Sequence, residues 1–392
     1  MTFQPPPPGP TASVAPVPRS IEVIADPTAI AAAYGELSRV GVTTPFQTRD
    51  WVAAWVAAGA VEGEAAIVTG WSGERLDFVL PFEILRVGAV AVARWMSGSH
   101  AGYNFGLWRR EAVPDAGELA ALFDTVGRRQ RIDVFALDNM PRVWDGLANP
   151  IAEAFGATAA LDDGHRFRLP ARFDELIARR NAGHKRKKLK QKEKLLTAAG
   201  DYRIGRAVAV TEIDAALDAF FAQKAEALGR LGAGDPFARA EDRAFYRLLA
   251  TGGADSDAVL ELTRLEAGGA IRAVLGSIVE RATSHQLFVS TARDDLARAS
   301  PGETLFFRHI EAACAAGLEI YDMGLGAERY KASWCDEVVP LVSTVRPVGL
   351  QGRIAAVAML AARRLKARIR RDERLWPWVR AFRARLMGHG VG

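Results

Sequence analysis

Between residues 20 and 347 the chain passes twice through one order of elements, and this repeat constrains the fold more than any other feature. The order is strand, two helices, three strands, helix, strand, helix, strand. In the first pass, IEVIA from Ile21 alternates as a strand and 28–39 has helical spacing. Thr48 and Asp50 open a second helix that sets Trp51 and Trp55 on one face. Apolar or alternating runs follow at 65–71, 76–85 and 89–96, parted by Ser72-Gly73-Glu74 and Gly88. A helix at 117–129, a strand at 131–137, a helix near 144–155 and a strand near 165–169 close the pass. The second pass has a strand at 202–210, helices at 212–228 and 240–250, and strands at 258–266, 270–280 and 284–290. It ends with a helix at 302–316, a strand at 318–323, a short helix or turn near 327–334 and a strand at 338–345. Two such passes predict a tandem duplication of one mixed α/β domain.

The chain's 392 residues exceed one ordinary core and suit two. With 49% apolar and 25% charged residues, wholesale disorder is excluded. No apolar run approaches the ~18 residues that cross a bilayer. The opening MTFQPPPPGP lacks a signal-peptide layout, and Cys314 and Cys335 are too few for a disulfide framework or a four-thiolate zinc site. The cytoplasm is therefore the expected address. His184 and His309 have no partners at metal-ligand spacing, so no metal site is expected.

The net charge of +5 hides an asymmetry. Residues 179–194 carry a local +8 and residues 351–387 a local +9, which leaves about −12 on the remainder. The expected organisation is a proline-rich arm at 1–19, a first domain at 20–170 and a basic connector helix at 171–200. A second domain at 201–347 and a basic amphipathic tail at 348–392 complete it. In the connector, Leu189 and Leu196 offer one narrow stripe for packing, and the excess of cations beside Glu193 calls for an anion: phosphates, an RNA or an acidic polymer. In the tail, Ile354, Val357, Ala361, Leu365 and Ile369 keep helical spacing with arginines around them. Such a helix either lies on an anionic membrane surface or packs its stripe on the acidic body.

Several strings carry a resemblance. Pro45-Phe46-Gln47 with Trp51 stands near the start, and the Lys/Arg-rich helix closes at Ala199-Gly200. Further on come Ser300-Pro301-Gly302 and Asp322-x-Gly324-x-Gly326-x-Glu328-x-Tyr330-Lys331-x-x-Trp334. With the element order, these resemble the GNAT N-acetyltransferase superfamily, and within it the two-domain CelD/BcsL-like branch associated with cellulose and exopolysaccharide biosynthesis. The plan also resembles the Fem-type aminoacyl transferases, which use charged tRNA. The resemblance implies an α+β fold of tandem GNAT-like domains, each a mixed, mostly antiparallel sheet flanked by helices. It also implies acetyl-CoA or another acyl-CoA as co-substrate.

Transfer of an acyl group from a thioester to an amine needs amides that hold the donor, a helix N-terminus near its phosphates and groups that manage protons. Arg298, Ser300, Gly302 and Thr304 stand at the start of the 302–316 helix and are the donor-binding candidates. Ser300-Pro301-Gly302-Glu303 also reads as a plain capping box with proline at the first helical position. Asp322, Glu328, Tyr330 and Lys331 put an acid pair, a phenol and an ammonium on one short segment after a strand and are the catalytic candidates. The plainer alternative is an Asp–Lys ion pair with Tyr and Trp closing the core. Trp334, Tyr103, Lys224 and His285 are the candidates for holding the acceptor. The expected activity is N-acyl transfer to an amine, or in second place a hydroxyl, on a sugar or other small acceptor. The rivals are a tRNA-dependent Fem-type transferase and a non-catalytic anion- or membrane-binding scaffold.

Overall fold

Each pass of the sequence builds a sheet with the same strand order, and the two sheets exchange their last strands. The computed structural model describes residues 19–179, 183–326, 331 and 333–371. Residues 1–18 of the proline-rich arm, Glu328 and Tyr330 lie outside the described residues, and Arg19, expected in the arm, opens the first strand.

The first pass comprises β1 (Arg19–Ile24), α1 (Ala31–Val40), α2 (Arg49–Ala57), β2 (Glu64–Ser72), β3 (Arg75–Val87) and β4 (Val90–Trp95). It continues with α3 (Ala116–Arg129), β5 (Val134–Pro141), α4 (Pro150–Phe155) and β6 (Gly164–Arg168). The helices α5 (Phe173–Arg179) and α6 (Gly183–Ala198) lead to the second pass. That pass comprises β7 (Arg203–Arg206), α7 (Val210–Arg230), α8 (Ala240–Thr251), β8 (Leu260–Ala267), β9 (Ala270–Glu280) and β10 (Thr283–Thr291). It ends with α9 (Pro301–Ala315), β11 (Ile320–Leu325), β12 (Leu341–Pro347) and α10 (Gly349–Arg371).

In the first sheet β1 to β4 pair antiparallel in sequence order and β4 then pairs parallel with β5. In the second, β7 to β10 repeat the antiparallel order and β10 pairs parallel with β11. The next place in each sheet is filled from the other pass: β12 lies against β5, and β6 lies against β11. The segment expected as one strand at 338–345 is two, Glu337–Val339 against β6 and then β12 against β5. Pro340 separates them, and a residue without an N–H cannot continue a ladder.

Local chemistry sets the element ends. Asp115 and Glu118 close a reciprocal capping box on α3. Asn149 accepts from the amides of Ile151 and Ala152, so α4 starts only at Pro150, later than the helix expected from 144. Trp51 and Trp55 of α2 do share a face, and both pack edge-on against Phe245 of α8, joining the two passes through one aromatic cluster. Leu189 and Leu196 bury the stripe of α6 beside α9, while Leu195 is 43% exposed.

Candidate active site

The duplicated parallel step makes the site. Strands β10 and β11 pair at Thr283–Ile320, Ser284–Tyr321 and His285–Asp322, and then part. Beyond that point each strand is still laddered on its far side, β10 to β9 and β11 to β6. The facing edges of the wedge therefore carry backbone groups without a ladder partner from the opposite strand. A cavity of about 260 Å³ fills the wedge. Gln286, Leu287, Phe288 and Val289 of β10 and Met323, Gly324 and Leu325 of β11 line it. The first pass closes it with Phe46, Ser99, His100, Gly102 and Tyr103.

Asp322 stands where the strands part and is 1% exposed. Its Oδ1 accepts from the Tyr103 hydroxyl at 2.8 Å and from the Gly324 amide at 2.7 Å. Its Oδ2 has no hydrogen-bond partner among the described residues and lies 3.8 Å from His285 Nδ1, which has none among them either. Burial raises the Asp322 carboxyl to about 6, against the two hydrogen bonds, which favour the charged form. Burial also lowers His285 to about 3, so the imidazole is neutral, and keeps the Tyr103 phenol protonated. A buried carboxylate with one free oxygen and a basicity near neutrality is suited to general-base work. Sequence places Tyr103 and Asp322 in different passes; the fold brings them into one hydrogen bond.

Residues outside the predicted site set hold this arrangement. Gln47 donates to the Tyr103 carbonyl at 3.2 Å and to Asn104 at 3.0 Å, and its Oε1 accepts from the Phe105 amide at 3.0 Å. That is the structural use of the Pro45-Phe46-Gln47 string. Trp144 stacks on His285, with centroids 6.0 Å apart and planes at 29°. Gly164, on the exchanged strand β6, makes room for the Tyr103 ring: a Cβ there would lie 2.3 Å from the phenol oxygen. Gly164 carried no local sequence signal, because its neighbour comes from the other pass.

The other sequence-predicted residues divide into two groups. Lys331 lines the cavity, is 4% exposed and donates from Nζ to the Leu325 carbonyl. Lys224 of α7 and His285 also line it. Trp334, expected to face the acceptor, instead stacks on Phe167 with planes at 29° and meets Phe306 and Phe307 in the core. A ring 5% exposed among three phenylalanines gains more from burial than from a polar cleft. Arg298, Ser300, Gly302 and Thr304 gather at the start of α9, and none of them borders the cavity. The capping box read there does not form. Ser300 is left-handed (φ 48°) with no side-chain cap, and Glu303 pairs with Lys192 of α6. Gly302 serves close packing, since a Cβ there would lie 2.1 Å from Thr291 Oγ1. Thr304 is fully buried, and its hydroxyl has no hydrogen-bond partner among the described residues.

Residues 183–332 match the family model of the acetyltransferase (GNAT) domain. The first pass repeats the topology of that region. The fold is a tandem GNAT-like one. Among solved structures the chain is similar to FemX, at TM-score 0.56 and 9% identity over 83% of this chain and 98% of that one. It is also similar to a conserved protein of unknown function from Bacteroides thetaiotaomicron, at TM-score 0.54 and 11% identity over 83% and 99% of the two chains. A third is the C-terminal domain of a putative lysylphosphatidylglycerol synthetase from Agrobacterium fabrum, at TM-score 0.51 and 14% identity over 86% and 96%. At these identities the likeness is one of fold. No curated protein matches the chain.

Proposed function

We propose that the protein is an N-acyltransferase that passes an acyl group, acetyl first, from acyl-CoA to an amine or in second place a hydroxyl on a small acceptor. The observation that carries the reading is the wedge between β10 and β11 with Asp322 at its apex. Unladdered strand edges suit the amide-bearing arm of the donor, which can add to them as an extra strand would. The phosphates would fall to the start of α9, with Arg298 and the exposed Arg186, Lys187, Lys188 and Lys190 of α6 as cations. Glu303 is neutralised there by Lys192.

Asp322 Oδ2 takes the proton as the acceptor nitrogen bonds to the thioester carbonyl carbon; the C–S bond then breaks and the thiolate leaves, with no covalent link to the protein. Tyr103 and Gly324 hold the carboxylate through Oδ1 and leave Oδ2 for that proton. Glu328 and Tyr330 remain further candidates on the same segment. The resemblance of the 322–334 string to the CelD/BcsL-like branch supports a sugar acceptor from exopolysaccharide or cell-envelope biosynthesis. Cys314 and Cys335 carry thiols, which suits a reducing compartment such as the cytoplasm.

Isothermal titration of the full chain with acetyl-CoA tests the reading. Saturable binding is expected, and its absence would leave the fold without this activity. The exposed cationic face of α6 also favours a tRNA-dependent transferase as second reading. Retention of tRNA at physiological salt, with no binding of acetyl-CoA, would select it.

A further inference from the structure

Helix α10 turns its apolar stripe away from the body. Leu350, Ile354, Val357 and Leu365 are 76%, 69%, 69% and 60% exposed. The opposite face makes the contact: Ala356 is buried, Gly352 sits so close that a Cβ would lie 1.8 Å from the Asp133 carbonyl, and Arg363 pairs with Asp138 at 2.8 Å. Small residues and an ion pair therefore settle the helix on the protein, and the packing of the stripe against the acidic body does not occur. Arg353, Arg364, Lys366 and Arg368 are exposed along the same helix, and residues 349–371 include no acidic side chain. The sequence continues through Arg374, Trp376, Trp378 and Arg380.

We infer that the outward face of α10 docks on an anionic lipid bilayer. An apolar stripe flanked by cations matches the boundary between headgroups and acyl chains, where Leu, Ile and Val enter the apolar side and arginines meet phosphates. Charge decides between this and a second copy of the chain. A two-fold contact through this face would set its cations against the same cations. The helix is too polar to cross a membrane; no described helix is long and apolar enough to do so. Leu360, Arg363, Arg364 and Lys366 also border a cavity of about 620 Å³ in the first pass, so docking brings the rim of that cavity to the lipid.

Flotation of the full chain is compared with vesicles of phosphatidylcholine containing phosphatidylglycerol and with phosphatidylcholine alone. Binding is expected only to the anionic vesicles and should weaken as salt rises. Replacing Ile354, Val357 and Leu365 together by Asp should lower the partition at least tenfold, on the scale of about fourfold per buried CH₂ lost and about fivefold per opposed charge. Replacing Arg353, Arg364 and Arg368 by Gln should lower it about a hundredfold, at about fivefold for each engaged cation. The exposed sites leave melting temperature unchanged, which shows that both variants fold. Equal binding to both vesicle types, or undiminished binding by either variant, would overturn the inference. So would a self-associating chain that the apolar variant disperses while lipid binding is absent.

Discussion

The two passes open the same wedge, and they put different residues where it opens. In the first, β4 and β5 pair only at Val92–Val134 and Ala93–Phe135 before parting. In the second, the last pair is His285–Asp322. The first wedge leads to the larger cavity, about 620 Å³ against about 260 Å³, crossed by the Asp138–Arg363 ion pair. The second is tighter and ends on a buried acid, a buried imidazole and a phenol. A parallel step in a splayed sheet thus supplies an opening twice, but the last paired residues decide whether a proton acceptor stands in it. An apex of valine, alanine and phenylalanine offers only apolar contact.

The sharpest way to break this comparison is Asp322→Asn. Asn keeps an oxygen for the Tyr103 and Gly324 bonds, so folding survives, while the proton acceptor is lost. Turnover should fall by about a hundredfold or more, the scale of one acid–base participant. Stability should move the other way. Because the folded carboxyl titrates at about 6 and the unfolded one at 3.8, the native state holds the proton more tightly. Its contribution is full below the lower value and is lost as pH rises through the upper one, leaving a cost on the order of 3 kcal/mol above it. The variant should therefore melt higher than the parent in neutral buffer, and the gap should close in acid. Unchanged turnover would return the second wedge to the status of the first.

Tyr103→Phe gives the next largest effect. The phenol donates to the carboxylate and so favours its charged form. Without it the Asp322 carboxyl should rise above its present value by about one unit, the worth of one hydrogen bond to a charged group. The acid limb of the rate profile then moves to higher pH, so turnover drops about tenfold well below pH 6 and only about twofold at neutrality. A fall in rate with an unmoved limb would make Tyr103 a packing residue alone.

Much of the fold was legible in the sequence because periodicity and turn residues are local. The repeat, the tryptophans of α2 and the stripe of α6 all follow from spacing. The exchange of β6 and β12 was not legible, since nothing in a strand's own alternation says which sheet it joins. The site divides in the same way. Asp322 and Lys331 stand out by their proximity in sequence to glycines and aromatics, yet the hydrogen-bond partner of Asp322, Tyr103, lies 219 residues away. Trp334 sits in the same string but faces the other side of it, a distinction that needs the packing of Phe167 and Phe306 to decide. Ser300 carried the sequence of a cap, and the left-handed backbone there removed its side chain from the helix amides.

The smallest expected effect tests the first wedge. Arg363→Gln removes the ion pair with Asp138 on the larger cavity while leaving the apex pairs Val92–Val134 and Ala93–Phe135 intact. Arg363 is a quarter exposed and Asp138 is about half exposed, so solvent screens the pair and its loss should cost about 0.2–1 kcal/mol. That is a small shift in melting temperature for a chain of this size. If acyl transfer runs only in the wedge that holds Asp322, acetyl-CoA turnover in the variant should stay within about twofold of the parent, well under one factor of ten. A loss as large as that of Asp322→Asn, with the melting temperature held, would move the reaction to the first wedge. The apolar apex there would then need its proton acceptor from Asp138, a surface carboxylate that Arg363 had been holding in place.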